Sequence, residues 1–405
     1  MTLSMEAADR MPAGFHRLIA AQFFSALADN ALLIVTMALL HRRGLPAWWA
    51  PLLKFGFTLS YVLLAPLVGP LADAFPKAKL MAWMNGVKVL GVLALLGGIH
   101  PVAAFVVVGF GAAAYAPAKY GLVTELVAPG QLVAANGWLE VTVVCAVLLG
   151  TVFGGALVSP LFEPLAAFGV IDLHLLLAVY ALAAALNLGI PDSGARYAAR
   201  SIHPLALLRD FRDANTTLWR DAMGGLSLAA TTLFWGAGAT LQFIVLRWAQ
   251  EQLGLPLHQA SYLQAAVAVG VVAGAAVAGR WVALHDARRM LVFGVVLGLM
   301  LPVVASTRSL GLALPLLVIA GAVGGLMVVP LNALLQHRGC QLLTAGRSIA
   351  VQGFNENASI LVMLGIYAAL VAGELPIVPL MWGFGLVIAA AIALLMRRAR
   401  RLAPD

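Results

Sequence analysis

Charged residues are scarce in this sequence. Only 10% of its 405 residues are Asp, Glu, Lys or Arg, whereas hydrophobic types make up 62% and the mean hydropathy is +0.96. Soluble domains carry roughly 25% charged residues, so this composition excludes an ordinary soluble enzyme. It also excludes a disordered chain, because disordered chains are poor in apolar residues.

Cysteine is almost absent, and the motifs of enzymes are missing. Cys145 and Cys340 lie far apart and predict neither a disulfide framework nor a metal cluster. The eight histidines are scattered near predicted loops or helix starts, and no phosphate-binding Gly-x-x-x-x-Gly-Lys-[Ser/Thr] loop occurs. We therefore expect no enzymatic activity, no cofactor and no metal. The net charge of +8 is typical of cytoplasmic loops near anionic lipid, and we do not expect nucleic-acid binding.

Long apolar runs are what the sequence has in abundance. A membrane-spanning helix needs about 20 apolar residues, whereas a strand of a transmembrane barrel needs only about 10. The runs therefore predict an all-α polytopic membrane protein. Its twelve spans are expected near residues 15–40, 50–72, 79–98, 100–122, 138–159, 172–190, 223–249, 260–282, 289–306, 310–335, 346–372 and 375–396. The first run is too long for the apolar part of a signal peptide.

A polar stretch divides the spans into two sets of six. Residues 191–222 are rich in Arg and Asp and are predicted to form a partly amphipathic cytoplasmic linker. It would join an N-terminal half, residues 1–190, to a C-terminal half, residues 223–405. Most Lys and Arg fall on the side of the two termini if the N-terminus is cytoplasmic, which is the orientation that the positive-inside rule favours. They include Arg10, Arg200 and Arg397.

The two halves share short motifs. Gly111 and Pro117 recur as Gly324 and Pro330, and the block Gly-aromatic-x-Glu recurs at 137–140 and 353–356. Such matches fit the parallel repeats of the two major-facilitator halves. Chance recurrence of Gly and Pro is the alternative explanation.

The loop after the second span resembles a signature of the same superfamily. It reads GPLADAFPKAK over residues 69–79, and the superfamily pattern is Gly-x-Leu-x-Asp followed by basic residues. The glycine permits close helix approach, and the carboxylate can bond a helix N-terminus or pair with a base. The candidate gating residues are Gly69, Asp73, Lys77 and Lys79. An ordinary charged turn is the alternative.

Polar side chains form stripes on several spans. Gln22, Ser25, Asp29 and Thr36 share one face of the first span, and Gln352, Asn355, Glu356 and Ser359 share one face of the eleventh. A carboxylate inside a membrane is costly, so Asp29 and Glu356 are predicted to act in transport and to face a central cavity. Ser, Thr, Asn and Gln can instead simply link helices, and Lys54 can snorkel outward. The candidate substrate or transport residues are Asp29, Asn30, Lys119, Tyr120, Glu140, Gln242, Arg247, Asn332, Asn355 and Glu356.

Segments throughout the chain resemble the bacterial lysophospholipid transporters of the major facilitator superfamily. They are residues 21–33 (AQFFSALADNALL), 112–121 (AAAYAPAKYG), 233–238, 328–336 and 364–367. The resemblance implies the twelve-helix major-facilitator fold and a flippase for lysophosphatidylethanolamine and lysophosphatidylglycerol. These lipids would move from the outer to the inner leaflet of the bacterial inner membrane for reacylation, by alternating access with lateral entry.

The resemblance also implies partners and one departure. The acyl-ACP synthetase/lysophospholipid acyltransferase that reacylates the lipid would be a separate partner, and we expect the transporter to be a monomer among membrane lipids.

Where the family has an arginine that pairs with its first-helix aspartate, this chain has Gln242. Arg247, Lys119 or Lys54 would then pair with Asp29, or Asp29 would be protonated. The alternative function is a proton-coupled multidrug or small-solute transporter.

Overall fold

The computed structural model describes residues 11–45, 49–158, 171–197, 203–255 and 257–401, and within these ranges the ordered elements are helices. Arg10 and Arg200 lie outside the described residues. The helices are α1 (Ala13–Arg42), α2 (Trp49–Ala74), α3 (Lys77–Leu96), α4 (Pro101–Leu126), α5 (Leu132–Leu157), α6 (Ile171–Leu188), α7 (Pro204–Arg220), α8 (Ala222–Leu253), α9 (Leu257–Trp281), α10 (Leu291–Ser306), α11 (Leu310–Leu342), α12 (Ala345–Ala372) and α13 (Ile377–Arg401). Short 3-10 turns at Pro129–Gln131 and Leu284–Met290 precede α5 and α10.

The described helices match the predicted spans in number and order. Eleven of them, all except α6 and α7, are long and apolar enough to cross a membrane, and α6 is a shorter apolar helix over Leu173–Leu188. Helices α1–α6 coincide with the first six predicted spans and α8–α13 with the last six. Helix α7 falls inside the predicted linker. The prediction of an all-α polytopic fold is confirmed.

The helix ends follow the local chemistry of the chain. Asp221 lies just before α8 and accepts a hydrogen bond from the backbone N–H of Gly224 at 2.7 Å, which is the ordinary geometry of an N-cap. Helix α8 ends at Gly254, whose positive φ of 65° is the left-handed conformation that glycine adopts without strain. Prolines 117 and 330 lie inside α4 and α11, as membrane helices tolerate.

The chain divides into two compact units, each with its own apolar core. Unit 1 comprises Met1–Ala135, Cys145–Arg209 and Thr344–Ala350, and unit 2 comprises Asn136–Val144, Asp210–Leu343 and Val351–Asp405. The core of unit 1 includes Phe105, Leu176 and Tyr180, and that of unit 2 includes Trp248, Leu291, Leu317 and Met381. The boundaries drawn from the sequence at residues 190 and 223 stay a prediction.

Glycines allow helix backbones to touch within each unit. In unit 1, a Cβ atom at Gly150 of α5 would lie 2.5 Å from the carbonyl oxygen of Leu27 in α1. In unit 2, a Cβ atom at Gly270 or Gly274 of α9 would collide with the α11 carbonyl oxygens of Val318 and Ala322. The spacing Gly-x-x-x-Gly thus lets these helix pairs approach more closely than larger residues would allow.

Candidate transport sites

Asp29 of α1 is the centre of a buried polar cluster in unit 1. Its carboxylate accepts hydrogen bonds from Lys88 Nζ of α3 and from the Tyr180 hydroxyl of α6, each at 2.7 Å. Lys88 also donates to Ser25 Oγ at 2.9 Å, and Ser25 donates to Asn85 Oδ1 at 2.7 Å. Ion pairing and hydrogen bonding together allow the two charges to remain in an apolar bundle.

The two members of this ion pair differ in accessibility. Only 2% of the Lys88 side chain is exposed, whereas 16% of the Asp29 side chain is exposed. The rings of Tyr115 and Tyr180 lie 5.1 and 5.7 Å from Lys88 Nζ, close enough for cation–π attraction. Lys88 is therefore an enclosed anchor, and Asp29 is the member that a ligand can approach.

Lys119 of α4 forms a second cationic position in unit 1. Its Nζ donates to Gln22 Oε1 at 3.2 Å and lies 4.2 Å from the centre of the Tyr120 ring. Gln22 precedes Asp29 by seven residues, which corresponds to about 10 Å along α1. Asn30, in contrast, donates to the carbonyl of Ala26 in its own helix at 2.8 Å, so the structure does not bring Asn30 into the Asp29 cluster.

Several buried side-chain amides of unit 1 have N–H donors without a hydrogen-bond partner in the part of the chain that the structure describes. Among the described residues, nothing accepts a hydrogen bond from Gln22 Nε2, Asn85 Nδ2 or Asn187 Nδ2. All three side chains are almost completely buried, and leaving such a donor unpaired costs about 1–3 kcal/mol. An interior of this kind suits a ligand that offers oxygen acceptors.

Unit 2 has its own partly buried carboxyl group at Glu356 of α12. Gln352 Nε2 donates to Glu356 Oε1 at 2.9 Å and to Asn332 Oδ1 of α11 at 3.0 Å. The Thr231 hydroxyl of α8 donates to the carbonyl of Leu228 at 3.3 Å and lies near Glu356. Glu140 is near enough to repel Glu356 electrostatically. Among the described residues, neither Lys nor Arg forms an ion pair with Glu356. The structure thus brings together Glu140, Asn332 and Glu356 of the predicted residues.

Asn355 is adjacent to Glu356 in sequence, but its side chain contacts α7 instead of the Glu356 cluster. Its Nδ2 donates to Asn215 Oδ1 of α7 at 2.8 Å, and its Oδ1 accepts from Trp219 Nε1 of α7 at 3.1 Å. Phe211 of α7 packs edge-on against Phe354, with ring centres 5.1 Å apart. Asn355 therefore ties the linker helix to α12.

The remaining predicted residues of unit 2 lie near the far end of α8. Gln242 contributes its backbone carbonyl, which accepts from Gln264 Nε2 at 2.8 Å. Arg247 pairs with Glu251 at 2.5 Å and donates to the carbonyl of Leu375 at 3.3 Å. These contacts place Arg247 in a local pair of its own unit, and the described partner of Asp29 is Lys88 instead.

The loop between α2 and α3 contacts the beginning of α12, which belongs to unit 1. Asp73 accepts hydrogen bonds from the backbone N–H of Gly346 at 2.9 Å and from the Thr344 hydroxyl. A Cβ atom at Gly69 would lie 3.1 Å from Arg347 Cα, so glycine lets α2 approach α12 closely. Asp73 thus caps the N-terminus of α12, where a negative charge is favourable.

Lys77 joins this loop to the start of the linker. Its Nζ lies 2.6 Å from Glu125 and 3.8 Å from Asp73, and it lies 4.5 Å from the ring centre of Tyr197. Glu125 also accepts hydrogen bonds from Ser193 and Tyr197, at 2.6 and 2.9 Å. Lys79 is exposed. The basic residues of the loop therefore have separate roles, since only Lys77 is built into the network.

Arg196 and Asp192 form an ion pair at the surface. Arg196 donates to Asp192 at 2.7 Å, and the N–H of Gly194 donates to the same carboxylate at 3.1 Å. The hydrogen bond from Arg196, helped by that from Gly194, lowers the pKa of Asp192 to about 2. Asp192 is exposed and lies outside the buried clusters, so its removal is a suitable control for theirs.

Lys88 and Tyr180, which contact Asp29, are residues of the candidate site that the sequence did not predict. Lys88 lies eleven residues into α3 and three residues after Asn85. That spacing puts both polar side chains on one helical face and could have identified a third polar stripe. A reciprocal pair of hydrogen bonds between Asn136 and Gln336, each at 2.9 Å, was missed as well.

Similarity to solved structures shows the fold alone. A bacterial homologue of the iron transporter ferroportin, in an outward-facing state, superposes with a TM-score of 0.72 at 17% identity, covering 96% of this chain and 99% of that chain. FucP, a Major Facilitator Superfamily transporter in the outward conformation, gives a TM-score of 0.71 at 17% identity, covering 97% and 99%.

Sequence comparison reaches further than fold. A family model described as Major Facilitator Superfamily matches residues 18–342. The lysophospholipid transporter LplT of Escherichia coli O1:K1 / APEC is 41% identical over 395 residues, which are 96% of each chain. That of Shigella flexneri is 42% identical with the same coverage. This multi-pass membrane protein belongs to the Major Facilitator Superfamily and, within it, to the family of the LplT transporters.

Proposed function

We propose that this protein transports lysophospholipids, chiefly lysophosphatidylethanolamine and lysophosphatidylglycerol, across the bacterial inner membrane. The observation that carries the proposal is the 41% identity to LplT over 96% of both chains. A likeness of that extent covers both units and all the candidate residues, so it exceeds a shared fold. The direction is from the outer to the inner leaflet, with both termini in the cytoplasm, as the positive-inside rule favours.

The polar cluster of unit 1 suits the headgroups of these lipids. Both headgroups carry hydrogen-bond donors, an ammonium in one lipid and hydroxyls in the other, and both are linked to a phosphodiester anion. Asp29, held by Lys88 and Tyr180 and partly exposed, would accept hydrogen bonds from the headgroup. The amides of Gln22 and Asn85, which are buried with unpaired donors, would donate to phosphate oxygens once alternating access opens the cluster.

Transport would proceed by alternating access, with the acyl chain entering laterally from the membrane. Asp73 supports such a switch because its hydrogen bonds link the loop between α2 and α3 to the start of α12. The substrate undergoes no chemistry in the transporter. The reacylation that follows would be performed by an acyl-ACP synthetase/lysophospholipid acyltransferase as functional partner, and the transporter would act as a monomer.

A leaflet assay tests the function. Spheroplasts that lack their own lysophospholipid transporter but retain the acyltransferase express this chain and receive labelled lysophosphatidylethanolamine from outside. We expect conversion to diacyl lipid that requires the protein and is lost in Asp29→Ala. The Asp192→Ala variant is the control, since that carboxylate is exposed at the start of the linker. Conversion no higher than with the empty vector, although the protein is in the membrane, would refute the proposal.

One observation favours the alternative of a proton-coupled solute transporter. Glu356 lies beside Glu140 and has no cationic partner among the described residues, so it is a group that can carry a proton through an apolar span. A protonophore separates the two functions in the same assay. Transport of lysolipid that survives the protonophore supports gradient-independent flipping, whereas loss of transport supports proton coupling through Glu356.

A further inference from the structure

Lys54 of α2 differs from the other cations within the spans. Lys88 pairs with Asp29, Lys119 bonds Gln22, and Arg247 pairs with Glu251. The Lys54 side chain is accessible although protein atoms surround it densely, and among the described residues no group forms a hydrogen bond or an ion pair with it. Its neighbour Leu53 is buried in the core of unit 1, so the helix itself is firmly packed at this level.

Lys54 lies close to the N-terminal end of α2. It lies five residues after the helix start at Trp49, about 7 to 8 Å along the axis. With cytoplasmic termini, this end of α2 is in the outer leaflet. A lysine so close to a helix end extends its ammonium toward the headgroup region.

A polar stripe connects Lys54 to the Asp29 cluster. Thr58 and Tyr61 follow Lys54 at i+4 and i+7 and thus share its helical face. Thr58 is buried, and Tyr61 is close enough to Asp29 to interact with it electrostatically. From Lys54 to Tyr61 the stripe extends about 10 Å along the helix. With cytoplasmic termini, the stripe therefore leads from the outer end of α2 toward the carboxylate of Asp29.

We propose that Lys54 is the first binding site for the substrate, where its ammonium binds the phosphodiester of a lysophospholipid in the outer leaflet. This inference rests on the proposed function and adds to it the group that receives the lipid. The phosphodiester is the one anion that both lysolipids share, so a cation at this point accepts either headgroup. Phe55, which is 49% exposed, offers an apolar surface beside it for the acyl chain.

The first test measures initial transport rates against lysolipid concentration in the leaflet assay. The variants are Lys54→Gln, Lys54→Arg and, as a control, Arg43→Gln, which removes another exposed cation from the adjacent outer loop. In Lys54→Gln we expect the half-saturating concentration to rise about tenfold for both lipids with an unchanged maximal rate, the loss typical of one charge-assisted hydrogen bond. Lys54→Arg and Arg43→Gln should behave like the wild type. Identical curves for Lys54→Gln and the wild type would overturn the Lys54 site and leave the proposed function intact.

The second test measures binding without transport. Native mass spectrometry of the purified full-length protein counts bound lysophosphatidylglycerol, with inorganic phosphate and monoacylglycerol as separate competitors. We expect the wild type to bind the lysolipid several times more than Lys54→Gln does, with little competition from either compound. Equal competition by inorganic phosphate would reassign the site to free phosphate, and competition by monoacylglycerol would show that the phosphate is not recognised. A wild type that binds no lysolipid would overturn the Lys54 site, whatever the transport assay gives.

Discussion

Asp29 in unit 1 and Glu356 in unit 2 are both carboxylic acids inside apolar spans, yet their surroundings differ in charge. Asp29 has a lysine at 2.7 Å and a tyrosine hydroxyl at the same distance. Glu356 is surrounded by an amide, a hydroxyl and another carboxyl group, and the described residues supply it with no cation. Pairing and hydrogen bonding offset part of the cost of burying a charged carboxylate, whereas an unpaired one in apolar surroundings is costly when charged. Unit 1 is therefore built to hold a charge, and unit 2 is built to hold a carboxyl group that can be neutral.

The strongest test of this difference removes Lys88. In Lys88→Met the charge of Asp29 loses its partner, and breaking a buried ion pair costs about 3–5 kcal/mol. We expect a large fall in the melting temperature of the protein in detergent, together with loss of transport. The double variant Lys88→Met/Asp29→Asn should recover most of the melting temperature but none of the transport. If the double variant melts as early as the single one, Lys88 acts by packing and not by charge.

A second test compares the two carboxyl groups directly. Glu356→Gln replaces a group that lacks a cationic partner with a neutral one of the same shape, so we expect the melting temperature to change by only a degree or two. Asp29→Asn leaves Lys88 unpaired and should destabilise the protein by about 3 kcal/mol. Equal losses in both variants would mean that Glu356 also carries a charge in the folded protein.

These two carboxyl groups also show how far the sequence could be interpreted. Hydropathy and turn residues predicted the spans, since the membrane demands long apolar helices. The stripe 352–359 located Glu356 but could not separate it from Asn355. The two residues follow Gln352 by three and four positions, and both spacings fall on the same broad helical face. The structure shows Asn355 bound to α7 and Glu356 bound to Gln352. The partner of Asp29 was missed because pairing across helices depends on packing, which a single sequence does not reveal.

The comparison extends to the carboxylates at helix ends. Asp73 caps α12 in unit 1, and its removal in Asp73→Ala should cost about 1–2 kcal/mol, as for other N-caps. We expect faster hydrogen exchange at the amide of Gly346, measured by mass spectrometry of the peptide that contains it. Lys79→Gln, at an exposed position of the same loop, is the control and should exchange like the wild type. Unchanged exchange in Asp73→Ala would show that the cap does not hold the start of α12.

Asp221 is the corresponding cap in unit 2, and its effect should be the smallest. Burial by itself raises the pKa of Asp221, but hydrogen bonds from Arg338 and from Gly224 N–H outweigh it and bring the pKa below its ordinary value. A carboxyl group with a lowered folded-state pKa stabilises the protein above its unfolded-state pKa of about 4, and this stability is lost as the pH falls through the folded-state pKa.

Melting curves between pH 6 and pH 3 check this acid dependence. Asp221→Asn keeps an N-capping side chain but loses the ion pair with Arg338, so we expect a loss of about 1 kcal/mol or less at pH 6. The difference from the wild type should shrink toward pH 3. A difference that grows on acidification would have the wrong sign for this pair.

The contact between α9 and α11 determines what kind of motion unit 2 can perform. At Gly270 and Gly274 the backbone of α9 lies against carbonyl groups of α11, with no side chain between the two helices. Wider helix interfaces can slide when side chains change rotamer. Here the backbones of α9 and α11 are in direct contact, so no rotamer change can make room for sliding. We therefore expect α9 and α11 to move together as one rigid body in any displacement that accompanies transport.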